Sequence, residues 1–222
     1  NPATIKIKDK LSQLYSTYVR LGVSSEFMPF GDIYFDAKRS RKYVYGAHLN
    51  HLSSYGDIKG FAPAQFDRTK GLIYGGINQS RYDMMGQIHY KNQGLHYYGI
   101  SDTLGLAADS ISQRYSDFGF KAEFGWHKKD SAKLNFNGGV QYNNFSSKKP
   151  FEESNRDWRG SENYFAINTD AWYKQDQHVF ASEFNIRYNG YRYGTFGDTL
   201  TAIDTAIFIN NTVINIKPTI TS

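Results

Sequence analysis

The chain has 222 residues, no cysteine and a formal net charge of +5. This length suits one all-β domain, and the lack of cysteine excludes a disulfide framework and thiolate metal sites. No apolar run reaches the roughly 18 residues that a membrane-spanning helix needs. Hydropathy averages also miss membrane strands, because these are apolar only at alternate residues.

Period-two alternation is the dominant pattern along the chain. In the stretch FGFKAEFGW at 118–126, three phenylalanines and a tryptophan fall on one side, while Lys121 and Glu123 fall on the other. No amphipathic helix is predicted. The alternation predicts ten strands, at 14–24, 30–38, 42–52, 70–80, 84–98, 115–128, 132–145, 163–174, 178–193 and 205–217.

Several predicted strands exceed ten residues, whereas strands of soluble sheets average about 5–6 residues. A tilted strand needs about 9–11 residues to cross the apolar core of a bilayer. Prolines interrupt ladder hydrogen bonding, and here they avoid the interiors of the long predicted strands, at positions 2, 29, 63, 150 and 218.

The links between predicted strands alternate in length. Short links lie at 39–41, 80–83, 128–132 and 174–177, and long polar links lie at 53–69, 99–114, 146–162 and 194–204. A shorter link near Met28 falls on the long side by its place in the order. This alternation predicts up-and-down hairpins with two unlike ends, as in outer-membrane barrels with short periplasmic turns.

A soluble sandwich and a membrane barrel share this alternation. A sandwich packs its apolar side on a second sheet, whereas a barrel exposes that side to lipid and its polar side to the lumen. Strand length and one-sided long links favour an all-β, antiparallel, up-and-down transmembrane β-barrel. Interfacial aromatics mark membrane proteins, and tyrosines near predicted strand ends fit this: Tyr43, Tyr45, Tyr97, Tyr98, Tyr191 and Tyr193. The alternative is a soluble, secreted β-sandwich binding module.

Several short strings resemble known proteins. The segment at 18–60, with YGAHLNHLSS, then GDIKGFAPAQF, LHYYGI and NIKPTIT, resembles large outer-membrane β-barrels of the Bacteroidota that are similar to TonB-dependent receptors. The resemblance implies a Gram-negative outer-membrane location, with lipid and lipopolysaccharide as surroundings. Such barrels are longer than this chain, which implies a portion of a larger barrel. No plug domain or TonB-contacting segment is recognisable, so energised uptake is not expected.

The domain organisation predicted from this pattern is simple. Residues 1–13 are expected to form a periplasmic lead-in segment, and 14–222 the barrel, incomplete at its C-terminal end. The chain begins at Asn1 rather than at Met and shows no signal-peptide core. A removed leader or a longer parent protein would each explain this start.

The candidate functional residues are the charged side chains of the polar side. Those predicted to face the lumen are Arg20, Asp36, Lys38, Lys91, Lys121, Glu123, Asp170, Glu183 and Arg187. Both signs occur, whereas an ion-selective pore shows one dominant sign. Two interpretations stay open: paired side chains that fill a narrow barrel, or a water-filled path with mixed-charge walls.

Other chemistries find little support. His48 and His51 are three apart and point to opposite sides of a strand, so they cannot chelate a metal together. No Ser/His/Asp grouping stands out. Some outer-membrane enzymes place acidic, His and Ser residues at the rim of the barrel, so an enzyme stays among the alternatives. Nucleic acid is not expected as a partner. Its bases would stack on aromatic side chains while its phosphates contact positive charges, and here these two kinds of residue lie on opposite sides of the strands. We therefore predict no catalytic residue, cofactor or metal. The expected role is a non-catalytic subunit of an envelope assembly, with other outer-membrane or periplasmic proteins as partners, or a passive solute pore.

Overall fold

The computed structural model describes residues 15–38, 40–126, 133–148, 159–194 and 206–221. Two short 3-10 helices, Asp102–Leu104 and Ala108–Ile111, lie between the fifth and sixth strands. The ten strands are β1 (Thr17–Ser24), β2 (Met28–Asp36), β3 (Tyr43–Ser54), β4 (Phe66–Asn78), β5 (Tyr82–His96), β6 (Ser112–Trp126), β7 (Leu134–Lys148), β8 (Arg159–Gln175), β9 (His178–Gly194) and β10 (Ala206–Thr221).

All ten strands belong to one sheet, in which spatial order equals chain order. Every neighbouring pair is antiparallel, so the chain runs up and down across the sheet. The predicted all-β, up-and-down arrangement is therefore confirmed. β1 and β10 are the edges of the described sheet, which is not closed into a barrel.

The strand bounds differ from the predicted ones mainly at the long-link end. β4 begins at Phe66 instead of 70, and β6 begins at Ser112 instead of 115. At these added residues the apolar side of the strand carries Asp67 in β4 and Arg114 in β6. The alternation of apolar and polar residues, from which the strands were predicted, is therefore lost there. Pro29 and Pro218 lie inside strands, contrary to expectation, but each is close to a strand end.

The cross-strand pairs define two sides of the sheet. The apolar face is the side that carries Phe118, and the polar face is the side that carries Lys121. Opposite partners share a side, so the registers extend each face across all ten strands. On the apolar face lie Leu21, Ile33, Leu49, Ile73, Ile88, Phe118, Phe136, Phe165, Phe184 and Ile214.

Two long links pack together and contain the buried side chains of Ala62 and Ile111. Phe61 forms an isolated bridge with Ser101, and the Ala62 amide donates to the Ile100 carbonyl at 2.8 Å. Ile111 is fully buried. The links at 55–65 and 97–111 are therefore hydrogen-bonded to each other, and most of their described residues remain exposed.

Two tight turns need left-handed backbone at residues other than glycine. Asp176, with φ of 53°, is the first residue of the two-residue link between β8 and β9, and Asp tolerates this conformation better than most residues. Phe27, with φ of 48°, ends the link between β1 and β2. Its ring lies 5.7 Å from that of Tyr55, whose amide donates to the Phe27 carbonyl at 3.3 Å.

Candidate functional site

The registers place eight of the nine candidate residues on the polar face, while Lys38 follows the end of β2 and lies outside the strands. The eight are Arg20, Asp36, Lys91, Lys121, Glu123, Asp170, Glu183 and Arg187. These eight therefore share one side of the sheet, and their position facing a lumen stays a prediction. Residues 1–14, which include the predicted lead-in segment, lie outside the described part of the chain.

A polar cluster joins β1, β2 and β3. The Arg20 guanidinium donates to the Asp32 carboxylate, with 3.0 Å between Nε and Oδ2, and the Asn50 amide donates to the other carboxylate oxygen. Asp32 is only 3% exposed. The His48 ring stacks on Tyr34, with centroids 3.9 Å apart. Asp32 and Asn50 were missed as candidates, although Asp32 has the same strand parity as Asp36.

A second cluster centres on Asp117 of β6. Its Oδ2 lies 3.4 Å from Lys91 Nζ and 3.4 Å from His89 Nε2, both on β5. The Asn143 amide of β7 lies within 3.5 Å of the other carboxylate oxygen. One carboxylate therefore links three strands. Asp117 was not among the predicted lumen residues.

A third group lies on β6–β10. Lys121 Nζ and Glu123 Oε1 are 2.6 Å apart, and both residues line a polar cavity of about 350 Å³ with Asp170. Asp170 lies directly opposite Glu183, which in turn has Lys217 Nζ at 3.4 Å. Lys121 with Glu123 and Lys217 with Glu183 are therefore pairs of opposite charge, whereas Asp170 and Glu183 are like-charged neighbours.

The apolar face carries a band of exposed hydrophobic side chains. On β6 the band runs from Phe118 to Trp126, nine residues in all. Phe118 is 44% exposed and Ile88 on β5 is 50% exposed. Within the band, Gly75, Gly86 and Ala122 line a groove of about 600 Å³.

Polar side chains end the band at the long-link side of the same face. Both terminal nitrogens of Arg114 donate hydrogen bonds to the Asp67 carboxylate, with N–O distances of 3.1 and 2.7 Å, and one of them also donates to the Asn92 side chain. The Tyr142 hydroxyl donates to Asn163 at 3.0 Å. The apolar face therefore changes from hydrophobic to hydrogen-bonded polar residues along the strands.

Aromatic side chains mark both margins of the band. Tyr90, Tyr142 and Tyr188 lie toward the long links, and Tyr43, Tyr82, Trp126 and Tyr173 lie toward the short ones. The predicted aromatic positions were partly wrong. Tyr97 and Tyr98 follow β5 in a long link, and Tyr191 lies on the polar face. Only the Tyr43 and Tyr45 positions match the apolar face.

The described residues contain no group of three or more His, Asp or Glu side chains that could hold a metal ion. His48 and His51 lie on opposite faces, as their spacing predicted. In the described part of the chain, no helix is both long and apolar enough to cross a bilayer.

Comparison with known proteins gives no assignment. The chain matches no protein-family description, no curated protein and no solved structure. Any function must therefore be argued from the two faces of the sheet.

Proposed function

We propose that this chain is part of an integral outer-membrane β-barrel and has no catalytic role. In this proposal the apolar face contacts lipid, and the polar face lines the barrel interior. The partners are outer-membrane lipid, lipopolysaccharide and further proteins of an envelope assembly. The resemblance of the 18–60 segment to Bacteroidota barrels agrees with this proposal.

The observation that carries the proposal is the exposed apolar band. Soluble monomers rarely expose contiguous apolar patches larger than a few hundred Å², and here the apolar side chains continue across the strands of a ten-stranded sheet. A soluble sandwich would cover this face with a second sheet, but the ten described strands all lie in the same sheet. Lipid is the simplest medium that would cover such a face.

The dimensions of the band agree with a bilayer. Its nine residues on β6 match the about 9–11 that a tilted strand needs to cross the apolar core. Aromatic rows at both margins resemble the girdles of membrane barrels. The Tyr142 and Tyr188 hydroxyls donate to asparagines, each at 3.0 Å, so each ring has an apolar body and a polar tip, which suits the interface.

Within this proposal, a subunit role is favoured by β10. Its polar face carries Ile207, Ile209 and Val213 beside Asn211, Asn215 and Lys217, so apolar side chains occur on both faces of this edge strand. All residues of β10 from 207 to 221 are exposed. A long, apolar edge strand attracts another strand, so β10 fits contact with a further polypeptide.

A passive pore is the second candidate function. Its support is the mixed charge of the polar face, on which Lys121 and Glu123 pair with each other and remain 41% and 53% exposed. The two roles differ in conductance. A pore would give stepwise currents in a planar bilayer on its own, whereas a subunit would conduct only with its partner or not at all.

Reconstitution tests the membrane assignment directly. The chain, refolded in detergent and mixed with liposomes, should float with lipid and resist extraction by alkaline carbonate. A protein that stays monodisperse in plain buffer, with strand content intact by circular dichroism, would overturn the proposal in favour of a soluble module.

A further inference from the structure

The polar face carries an uneven concentration of positive charge on β4 and β5. Lys70 lies directly opposite Lys91, and Arg68 is two residues away on the same face of β4. Opposite side chains of an antiparallel pair have Cβ atoms about 4.5–5.5 Å apart, and like charges in such positions repel. These three residues are called the basic cluster.

The carboxylates around the basic cluster do not balance it. Lys91 shares Asp117 with His89, each at 3.4 Å. On the β3 side the residues opposite Lys70 and Arg68 are Asn50 and Leu52, which carry no charge. At the cross-strand positions that the structure describes, three cations therefore face one carboxylate, and that carboxylate also contacts His89.

Arg68 adds an unmet hydrogen-bonding need. Its Nε atom is buried and has no acceptor among the described residues. A buried donor without a partner costs free energy, and the cost is larger for a charged group. A bound anion would accept from this atom and would also reduce the repulsion between Lys70 and Lys91.

We propose that the basic cluster binds a phosphate group. The arginine fork matches two oxygens of a phosphate, and lysine adds compact positive charge. Gln93, directly opposite Arg68, supplies a further amide donor. A tetrahedral dianion satisfies more of these donors than chloride does, which provides selectivity between the two.

This inference goes beyond the proposed function, because phosphate can be captured whether or not the sheet is embedded in lipid. In a barrel interior the site would attract phosphorylated solutes. The phosphate of a lipid head group has the same chemistry, and the two sources need separate tests.

The test uses the full chain in detergent and isothermal titration with inorganic phosphate at constant ionic strength, with chloride as the reference anion. The Lys70→Gln and Arg68→Gln variants should each weaken phosphate binding by about tenfold, the loss expected for one charged hydrogen bond. Lys174→Gln is the matched control, since Lys174 is exposed on the polar face of β8. It should bind phosphate like the unmodified chain. Circular dichroism checks that each variant folds.

Glycerol phosphate and dihexanoyl phosphatidic acid then distinguish the sources. Stronger binding of glycerol phosphate assigns a solute, and stronger binding of the lipid assigns a head group, provided that Lys70→Gln weakens either one. Absence of phosphate binding, binding no stronger than that of chloride, or an equal loss in Lys174→Gln would overturn the proposal. None of these results depends on membrane insertion, which the liposome experiment tests separately.

Discussion

Arg20 on β1 lies directly opposite Asp32 on β2, and its guanidinium donates to a carboxylate that is only 3% exposed. Asn50 on β3 donates to the same carboxylate. Three strands at one edge of the sheet are therefore joined through a single acidic side chain. Because little of this carboxylate reaches water, Arg20 and Asn50 supply its hydrogen bonds.

Replacing Arg20 tests how much this contact holds the edge of the sheet. Arg20→Ala leaves the Asp32 carboxylate with fewer donors, and a buried charge that loses its partner is destabilising. The midpoint of urea unfolding should fall. Lys121→Ala, which removes one member of a partly exposed pair, should shift the midpoint much less, because exposed ion pairs contribute little. If both variants lowered the midpoint of urea unfolding equally, the Arg20–Asp32 contact would contribute no more to stability than the exposed pair does.

Gly119 tests the close approach of strands on the polar face. A Cβ added there would lie 2.6 Å from the His89 ring and 2.8 Å from the Tyr142 carbonyl oxygen. Gly119→Ala should destabilise the sheet by about 1–3 kcal/mol, the range for overpacking. At Gly71 nothing lies within 4 Å of such a Cβ. Gly71→Ala should be neutral or slightly stabilising in the same denaturation assay, and a large loss there would contradict the described packing.

Neighbouring residues of β5 offer a matched test of the two faces. Ile88 belongs to the apolar face, and Gln87 to the polar face. If the apolar band contacts lipid, Ile88→Arg should destabilise the protein folded in liposomes by about 2–4 kcal/mol. Gln87→Arg should have a small effect. Similar free energies of unfolding for the two variants would contradict the assignment of the faces.

Ile111, at the end of the second of the two packed links, is fully buried. Ile111→Ala should cost about 2–5 kcal/mol of local stability, and hydrogen exchange should accelerate at 55–65 and 97–111 together. Leu104, which is 65% exposed in the same link, is the control. If Leu104→Ala had the same effect as Ile111→Ala, the loops would not be held by the buried contact.

Much of the sheet could be predicted from the sequence because side-chain parity is a local property. Each strand shows its two sides by alternation, so Lys121 and Glu123 were assigned to the same face without knowledge of their neighbours. The starts of β4 and β6 were missed because Asp67 and Arg114 occupy the apolar side there and pair with each other. That contact joins residues 47 positions apart in the chain.

The partners of charged residues were less predictable, since they depend on strand register. Lys91 was expected on the polar face, but nothing in its own strand indicates that Lys70 lies opposite it and Asp117 lies on its other side. The contacts of Phe61 with Ser101 and of Ala62 with Ile100 were equally hidden, because two links far apart in sequence form them. Barrel closure, similarly, depends on contacts that no single strand encodes.

Two tryptophans on opposite faces of the sheet test directly whether the apolar face contacts lipid. Trp126 lies on the apolar face of β6, and Trp172 lies on the polar face of β8. Two variants would each keep one of these tryptophans. In both variants phenylalanine replaces the other one and also Trp158, so that each protein has a single tryptophan. After reconstitution into liposomes with bromine-labelled acyl chains, the fluorescence of Trp126 should be strongly quenched and that of Trp172 weakly. Equal quenching, or stronger quenching of Trp172, would contradict the claim that the apolar face contacts lipid.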